Sequence, residues 1–368
     1  MDRRLTQVPR FSNIEASRIL AMFLIVAHHF AVHGGVPIWQ GDFPMSGNFY
    51  LSQMLSTGGK IGVNLFVLIT GFFICNKISK LSSLVYLWIS TFFYVFLFFV
   101  IFTLLGFNQF SWPGFFSCFF PIRNDFYWFV SAYFVLILAS PFLTLSIQSL
   151  GERRILALLL VFGLIWSVIP TLTTKAEYYS SSLLWFFYLF FAGAYLRFKL
   201  ENFRLGTIKG LMLAFVPWLF IAGIVWIADI NNRSNYGIGY IDWFTFANMT
   251  SIFSLLSAVG FFILFKEWRL GYHPWINKIA SAMLGVYLIH ENPLLRHWLW
   301  KTVFNVQQHL NESYFFVYAF AVIVSVFIVC TLIEIAREFY MRKWFKSKVL
   351  PLLLPWDSRI QRFFGRTS

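Results

Sequence analysis

The segment from Asn13 to Gly35 carries ionisable side chains at a spacing that suits chemistry. Arg18 and His29 are eleven positions apart, so on an α-helix they share a face to within about 20° and lie about 16 Å apart along the axis. Glu15 and His33 lie within about 60° of the same line. A guanidinium can hold an anion, and imidazole is the side chain that most readily exchanges a proton near neutral pH. The pattern therefore indicates a helix face able to bind an anionic ligand and to catalyse.

The same segment is apolar and long enough to cross a membrane. A charge inside such a helix costs about 2.5 to 3.5 kcal/mol, so Arg18 and the histidines need an explanation. Either they serve catalysis or ligand binding, or Arg18 reaches the lipid headgroups from the helix end and the histidines are satisfied packing residues. This helix alone leaves both interpretations open.

The composition excludes a soluble globular protein. Hydrophobic residues make up 59% of the chain and charged residues only 12%. The net charge of +14 does not indicate nucleic-acid binding, because the basic residues fall in short loops between apolar runs, where membrane charge asymmetry explains them. The 3 cysteines show neither paired nor metal-ligand spacing, so we expect no disulfide framework and no metal site.

Ten apolar runs predict an all-α polytopic membrane protein. With the N-terminus in the cytoplasm, most of the 29 lysine and arginine residues fall on that side, which favours cytoplasmic positions for both termini. We expect a membrane domain over residues 1–337 and a basic amphipathic cytoplasmic tail over residues 338–368, held to anionic lipid. The predicted helices cover residues 14–33, 61–76, 82–105, 126–147, 154–171, 182–198, 208–228, 242–265, 279–299 and 314–336.

Further polar residues collect at the outer ends of the predicted helices. Long outer loops over residues 34–60 and 106–125 could cover a site. Trp128 belongs to an aromatic cluster that is either a membrane-interface belt or a substrate platform. His290 and Glu291 interrupt the ninth predicted helix, at a depth similar to that of His29.

Four motifs in order resemble the membrane acyltransferase 3 family, and bacterial surface-polysaccharide O-acyltransferases in particular. The resemblance extends from about Asn13 to Arg337 and implies transfer of an acyl group, usually acetyl from cytoplasmic acetyl-CoA, to a glycan hydroxyl. Acetyl-CoA would be the donor substrate, with no permanently bound cofactor. The motifs are Arg18 with His29 eleven residues on, GVNLFVLITGFFI at 62–74, YWFV at 127–130 and GVYLIH at 285–290.

This resemblance, taken with the helix geometry, assigns roles to the donor and catalytic residues. Arg18 would hold the donor with help from Lys77 and Lys80, which stand where many members carry an arginine pair. Lysine lacks the bidentate fork of arginine, which weakens that assignment. His29 would be either a general base or a transient acyl carrier. Glu15, where the family often has aspartate, would join the catalytic group by pairing with Arg18.

The acceptor would be a surface glycan or a lipid-linked saccharide. We expect His290 to join His29 in the catalytic group and, with Trp128, to orient the acceptor. His28 and Glu291 are further candidates for acceptor binding. The expected location is a bacterial plasma membrane. We expect the protein to interact with the bilayer and with acyl-CoA and not with nucleic acid, and homo-oligomerisation is possible. A proton-coupled transporter or flippase of a glycan precursor, or a noncatalytic partner in a polysaccharide assembly complex, are the alternatives.

Overall fold

The computed structural model describes residues 11–38, 46–173, 181–200, 204–234 and 241–365, and all regular structure within these ranges is helical. Seven helical segments are long and apolar enough to cross a membrane, in agreement with a multi-pass membrane protein. The α-helices are α1 Ser12–His33, α2 Gly47–Ile74, α3 Leu81–Leu104, α4 Trp112–Ser117, α5 Trp128–Gly163, α6 Ile169–Thr173, α7 Ser182–Leu200, α8 Thr207–Ser234, α9 Phe244–Ala247, α10 Ile252–Glu267, α11 Pro274–Ser281, α12 Met283–His290, α13 Pro293–His297, α14 Phe315–Trp344 and α15 Leu350–Phe364.

The second helix begins far earlier than its hydropathy predicts. Its first residue is Gly47 instead of residue 61, and Ser46 caps it by accepting a hydrogen bond from the backbone N–H of Phe49 at 3.1 Å. The first turns are rich in hydroxyl and amide side chains, which lower hydropathy. Ser56 and Thr57 nevertheless bury their hydroxyls by donating to carbonyls one turn earlier in the helix. The predicted outer loop over residues 34–60 is therefore much shorter.

The break predicted between the helices over residues 126–147 and 154–171 coincides with a kink at Gly151, where φ is 71° and only glycine is unstrained. The predicted ninth helix is instead three short helices, α11 to α13, with breaks after Ser281 and after His290. A count of ten crossings therefore stays a prediction.

The last long helix continues beyond residue 337, where the membrane domain was predicted to end. α14 runs to Trp344 and passes through a π-helical segment, Phe345–Val349, into α15. The Asp357 carboxylate on α15 accepts hydrogen bonds from the backbone N–H and hydroxyl of Ser82, at 3.0 and 2.6 Å. The tail therefore caps the start of α3.

α1 packs at the centre of the bundle, where it contacts α2, α10, α11, α12 and α14. Its start lies against α11, because Ser12 Oγ donates to Asn277 Oδ1 at 3.1 Å. Close approach to α2 depends on glycine, since a Cβ at Gly62 would overlap the backbone oxygen of Ala21. α1 and α3 both begin at the end of the bundle where α2 finishes, which places Asp357 there too.

Candidate active site

Three side chains predicted from different parts of the sequence meet in the interior. His29 on α1, His290 at the end of α12 and the adjacent Glu291 are all buried. His29 Nδ1 lies 2.9 Å from His290 Nε2 and 3.3 Å from Glu291 Oε2. The two helices thus bring two imidazoles and a carboxylate into direct contact, and we refer to these three residues as the His29 centre.

The hydrogen bonds of His290 determine which nitrogen of His29 is free. His290 Nδ1 lies 2.6 Å from the carbonyl oxygen of Val286, which can only accept, so Nδ1 is the donor. Nε2 of a neutral His290 must then accept, and His29 must donate from Nδ1. Glu291 Oε2 lies 3.3 Å from the same Nδ1, at ion-pair distance, and accepts no hydrogen bond from the described residues. His29 Nε2 is therefore the nitrogen that carries a lone pair.

Glu291 is held by groups on both sides of the helix break. Its Oε1 accepts from Arg296 NH1 at 2.8 Å, and its Oε2 lies 3.1 Å from Nε2 of His33. The two imidazoles of His29 and His33 lie one helical turn apart, so a single carboxylate contacts both. Glu291 is thus fixed against α1 by charge and hydrogen bonding together.

The break between α12 and α13 is stabilised by its own polar contacts. Asn292 Oδ1 accepts from the backbone N–H of Leu294 at 3.1 Å, and Asn292 Nδ2 donates to the Tyr127 hydroxyl at 2.8 Å. The Tyr127 hydroxyl in turn donates to the carbonyl of Leu288 at 2.8 Å. These bonds end α12 so that Glu291 faces α1.

His28 and Trp128, predicted to orient the acceptor, lie on the α2 side of the centre. Nδ1 of His28 hydrogen-bonds to the Ser56 carbonyl, and a Cβ at Gly59 would overlap the His28 ring. The Lys60 ammonium lies 5.6 Å from the centre of a Trp128 ring. His28 therefore packs against α2, and Trp128 carries a cation on its face.

Arg18 and Glu15 form a separate pair near the start of α1. Arg18 NH1 donates to both carboxylate oxygens of Glu15, at 3.1 and 3.0 Å. Since this pair lies about 16 Å or more along the helix from His29, the structure brings Glu15 to Arg18 and not to the His29 centre. Within the described ranges, Lys77 and Lys80 are exposed and their side chains form no hydrogen bond or ion pair.

Sequence reasoning placed His33 on the polar face of the first helix without giving it a role, and it missed Arg296. Both residues complete the environment of Glu291. The sequence signals were the four-residue spacing from His29 to His33 and the five-residue spacing from Glu291 to Arg296. Neither spacing identifies a partner across helices.

One set of side chains in the centre could hold a metal ion. Ligand atoms of His29, His33 and Glu291 all lie within 4.8 Å of one another. In the present geometry His29 Nδ1 is hydrogen-bonded to His290, and Glu291 is paired with Arg296. Glu291 Oε2, one of these ligand atoms, is buried and accepts no hydrogen bond within the described part of the chain. The sequence-based expectation of no metal site therefore stays a prediction.

A cavity of about 270 Å³ adjoins the centre beside Asn292. The predicted loop over residues 106–125 supplies much of its wall, because α4 folds this aromatic segment against α3. Amide and hydroxyl groups alternate with aromatic rings around the space, as in pockets that orient a polar ligand. The polar and aromatic lining includes Phe99, Asn108, Gln109, Ser111, Phe126 and Asn292.

Comparison with known proteins gives one family match. The acyltransferase 3 family model, described as an acyltransferase domain, matches residues 11–335. No curated protein and no solved structure shows a significant match to the chain. The matched range contains the whole His29 centre and the Arg18–Glu15 pair.

Proposed function

Because the chain belongs to the acyltransferase 3 family, we propose that it is an O-acyltransferase that moves an acetyl group from cytoplasmic acetyl-CoA to a hydroxyl of a surface or lipid-linked glycan. The observation that carries this proposal is the buried contact of His29 with His290 and Glu291. It leaves one imidazole nitrogen with a lone pair, which acyl transfer to a hydroxyl requires.

In the proposed reaction, His29 Nε2 removes the proton of the acceptor hydroxyl as its oxygen attacks the thioester carbonyl. The C–S bond breaks, the new ester C–O bond is formed, and the imidazolium returns the proton to the leaving thiolate. His290 accepts the Nδ1–H bond of His29, and the Glu291 carboxylate, 3.3 Å from the same nitrogen, stabilises the imidazolium. Proton and acyl group are thus both accounted for without an external base.

The same nitrogen also serves the alternative in which His29 briefly carries the acyl group. In that route Nε2 attacks the thioester first, the C–S bond breaks and the CoA thiolate leaves. The acceptor hydroxyl then attacks the acyl-imidazole, the C–N bond to Nε2 breaks, and the hydroxyl proton passes to the thiolate. General-base catalysis is favoured by the contact of Glu291 with His29, since an adjacent carboxylate stabilises a protonated imidazole most. Labelled acetyl-CoA without acceptor separates the routes, because only the second leaves label on His29.

The proposed topology has ten membrane crossings with both termini in the cytoplasm of a bacterium and the plasma membrane as its location. Glu15 then orients Arg18 on the cytoplasmic side, and the His29 centre lies towards the outside. The glycan acceptor would enter through the cavity beside Asn292, whose amide groups and aromatic rings suit sugar hydroxyls and sugar faces. Trp128 and Glu291 would border the acceptor.

The test compares surface glycans from cells that make the intact protein with those from cells that make His29→Ala at the same membrane level. We expect a base-labile acetyl mass only with the intact protein, and transfer of labelled acetyl from acetyl-CoA by the purified protein in nanodiscs. Proton-dependent uptake of a glycan precursor without acyl transfer would instead identify a transporter.

A further inference from the structure

A second cavity of about 310 Å³ lies between α3, α5, α12 and α14, at the end of the bundle where α1 begins. It adjoins a surface depression of about 400 Å³, which shares Ser281, Glu338 and Arg342 with it. We name the two joined spaces the α14 cavity. Six of its residues follow the family-matched range, which ends at residue 335: Arg337, Glu338, Phe339, Arg342, Lys343 and Lys346.

The mouth of the α14 cavity is strongly cationic. Lys278, Arg342, Lys343 and Lys346 line it, against the single carboxylate of Glu338. The charge of Glu338 already has partners, because its carboxylate accepts hydrogen bonds from Arg342 and from the Tyr86 hydroxyl. The three lysines are exposed and form no ion pair within the described part of the chain. Such a mouth attracts an anion that carries several charges.

The interior of the cavity is polar but charge-balanced. Arg337 donates to both oxygens of Glu334, each at 2.7 Å, and Tyr94 donates to Glu334 at 2.6 Å. Glu334 also presses against α12, since a Cβ at Gly285 would overlap its carboxylate. Because Glu334 and Arg337 are paired with each other, the interior of the cavity presents hydroxyl groups and no net charge to a bound ligand.

The cavity points from its cationic mouth towards the His29 centre. Its lining on α12 extends from the end of α11 at Ser281 to Leu288, which is about 10 Å along a helix axis. Leu288 is two residues before His290. The lining at this deep end also includes Tyr133 and Ile137 of α5. The shape suits a ligand with a polyanionic head and a slender, uncharged arm.

We propose that the α14 cavity binds the acyl donor, with the phosphate groups of a CoA thioester at Lys278, Lys343 and Lys346 and its neutral arm directed towards Leu288. This inference rests on the proposed acyltransferase function. It assigns the donor phosphates to α11 and α14 instead of to Lys77 and Lys80, which do not line the cavity. It adds a binding segment that lies outside the family-matched residues.

Binding of CoA to the purified full-length protein in nanodiscs tests the inference without requiring turnover. Lys343→Gln combined with Lys346→Gln should weaken CoA binding about fivefold to thirtyfold by calorimetric titration. The matched control is Lys209→Gln combined with Lys348→Gln, two exposed lysines that do not line the cavity, and it should bind CoA as the unaltered protein does. CoA lacking its 3′-phosphate should be less sensitive to the first pair of substitutions.

A second variant, Leu284→Trp, fills the cavity between mouth and deep end and should abolish CoA binding, whereas His29→Ala should leave it unchanged.

Equal CoA binding by the unaltered protein and the Lys343 and Lys346 double variant, in the presence of acyl transfer, overturns the cavity assignment and leaves the proposed function standing. Failure of the unaltered protein both to bind CoA and to transfer acyl groups overturns both. Loss of copurified anionic phospholipid from the double variant, with unchanged CoA binding, identifies a lipid site and also overturns the assignment.

Discussion

The His29 centre and the Glu334–Arg337 pair both bury ionisable side chains in an apolar helical bundle, but they satisfy them differently. Glu334 and Arg337 form two hydrogen bonds of 2.7 Å, and Tyr94 supplies a third partner. In the His29 centre one carboxylate serves two imidazoles and Arg296, and one imidazole nitrogen keeps its lone pair. Complete pairing holds helices in register, whereas an unmatched lone pair can take part in chemistry.

The two regions also depend on the fold to different degrees. Glu334 and Arg337 are three residues apart on one continuous helix, so helix geometry alone brings them together. Glu291 reaches His29 only because α12 ends beside α1. A change at the first region should therefore alter mainly stability, and a change at the second should alter mainly activity.

The largest expected effect is that of His29→Ala on acyl transfer. Loss of the lone pair should lower kcat by about 10²- to 10⁴-fold, the usual contribution of a general base. Initial rates with labelled acetyl-CoA measure it. His297→Ala, which removes an exposed histidine on α13, is the matched control and should retain full activity. Full activity in His29→Ala would contradict the assignment of the centre.

At Glu334 we expect a loss of stability, in contrast to the loss of activity expected at His29. Glu334→Ala leaves the Arg337 guanidinium buried without its main partner, which should lower the free energy of unfolding by about 3 to 5 kcal/mol. Denaturant unfolding in detergent micelles measures the change. Glu152→Ala breaks an exposed ion pair with Lys199 and should leave the free energy of unfolding nearly unchanged. Equal stability losses in the two variants would remove the contrast between buried and exposed pairs.

Much of the fold could be predicted from the sequence, because apolar runs of membrane length identify helices directly. The bounds of α1 and α3 lie within two residues of the predicted ones. Hydropathy failed where polar side chains are satisfied inside the bundle, as over the first turns of α2. It also failed at the break after Ser281, which an apolar run does not reveal, whereas the α12–α13 break falls where His290 and Glu291 interrupt the ninth predicted helix.

The candidate site was predicted less completely. Spacing on one helix placed Arg18, Glu15 and His29 correctly relative to one another, because that geometry is local. The sequence also placed His290 at a similar depth to His29. The contacts of Glu291 with His33 and Arg296 depend on how three helix ends meet, and no periodicity encodes that arrangement.

A smaller effect on rate is expected for Glu291→Gln, which keeps the shape of the side chain and removes its charge. We expect kcat to fall about tenfold to a hundredfold, which is about 1.4 to 2.7 kcal/mol, since His290 still accepts the Nδ1–H bond of His29. Measuring both activity and unfolding for this variant and for Glu334→Ala sharpens the comparison. If the Glu291→Gln protein loses stability but keeps its kcat for acyl transfer, Glu291 has a structural role like that of the Glu334–Arg337 pair.

The smallest expected effect is that of Arg18→Ala, which tests whether the start of α1 belongs with binding or with chemistry. Arg18 is already paired with Glu15 and its side chain is 25% exposed, so any further attraction for a donor phosphate is partly neutralised and screened. We expect the KM for acetyl-CoA to rise about twofold to fivefold with kcat unchanged. Lys77→Gln combined with Lys80→Gln is the matched comparison, and its KM should change less, because both lysines are exposed and solvent and salt screen their charges more than that of Arg18. A fall in kcat without a change in KM would instead connect Arg18 to the reacting atoms, although about 16 Å of helix separates it from His29.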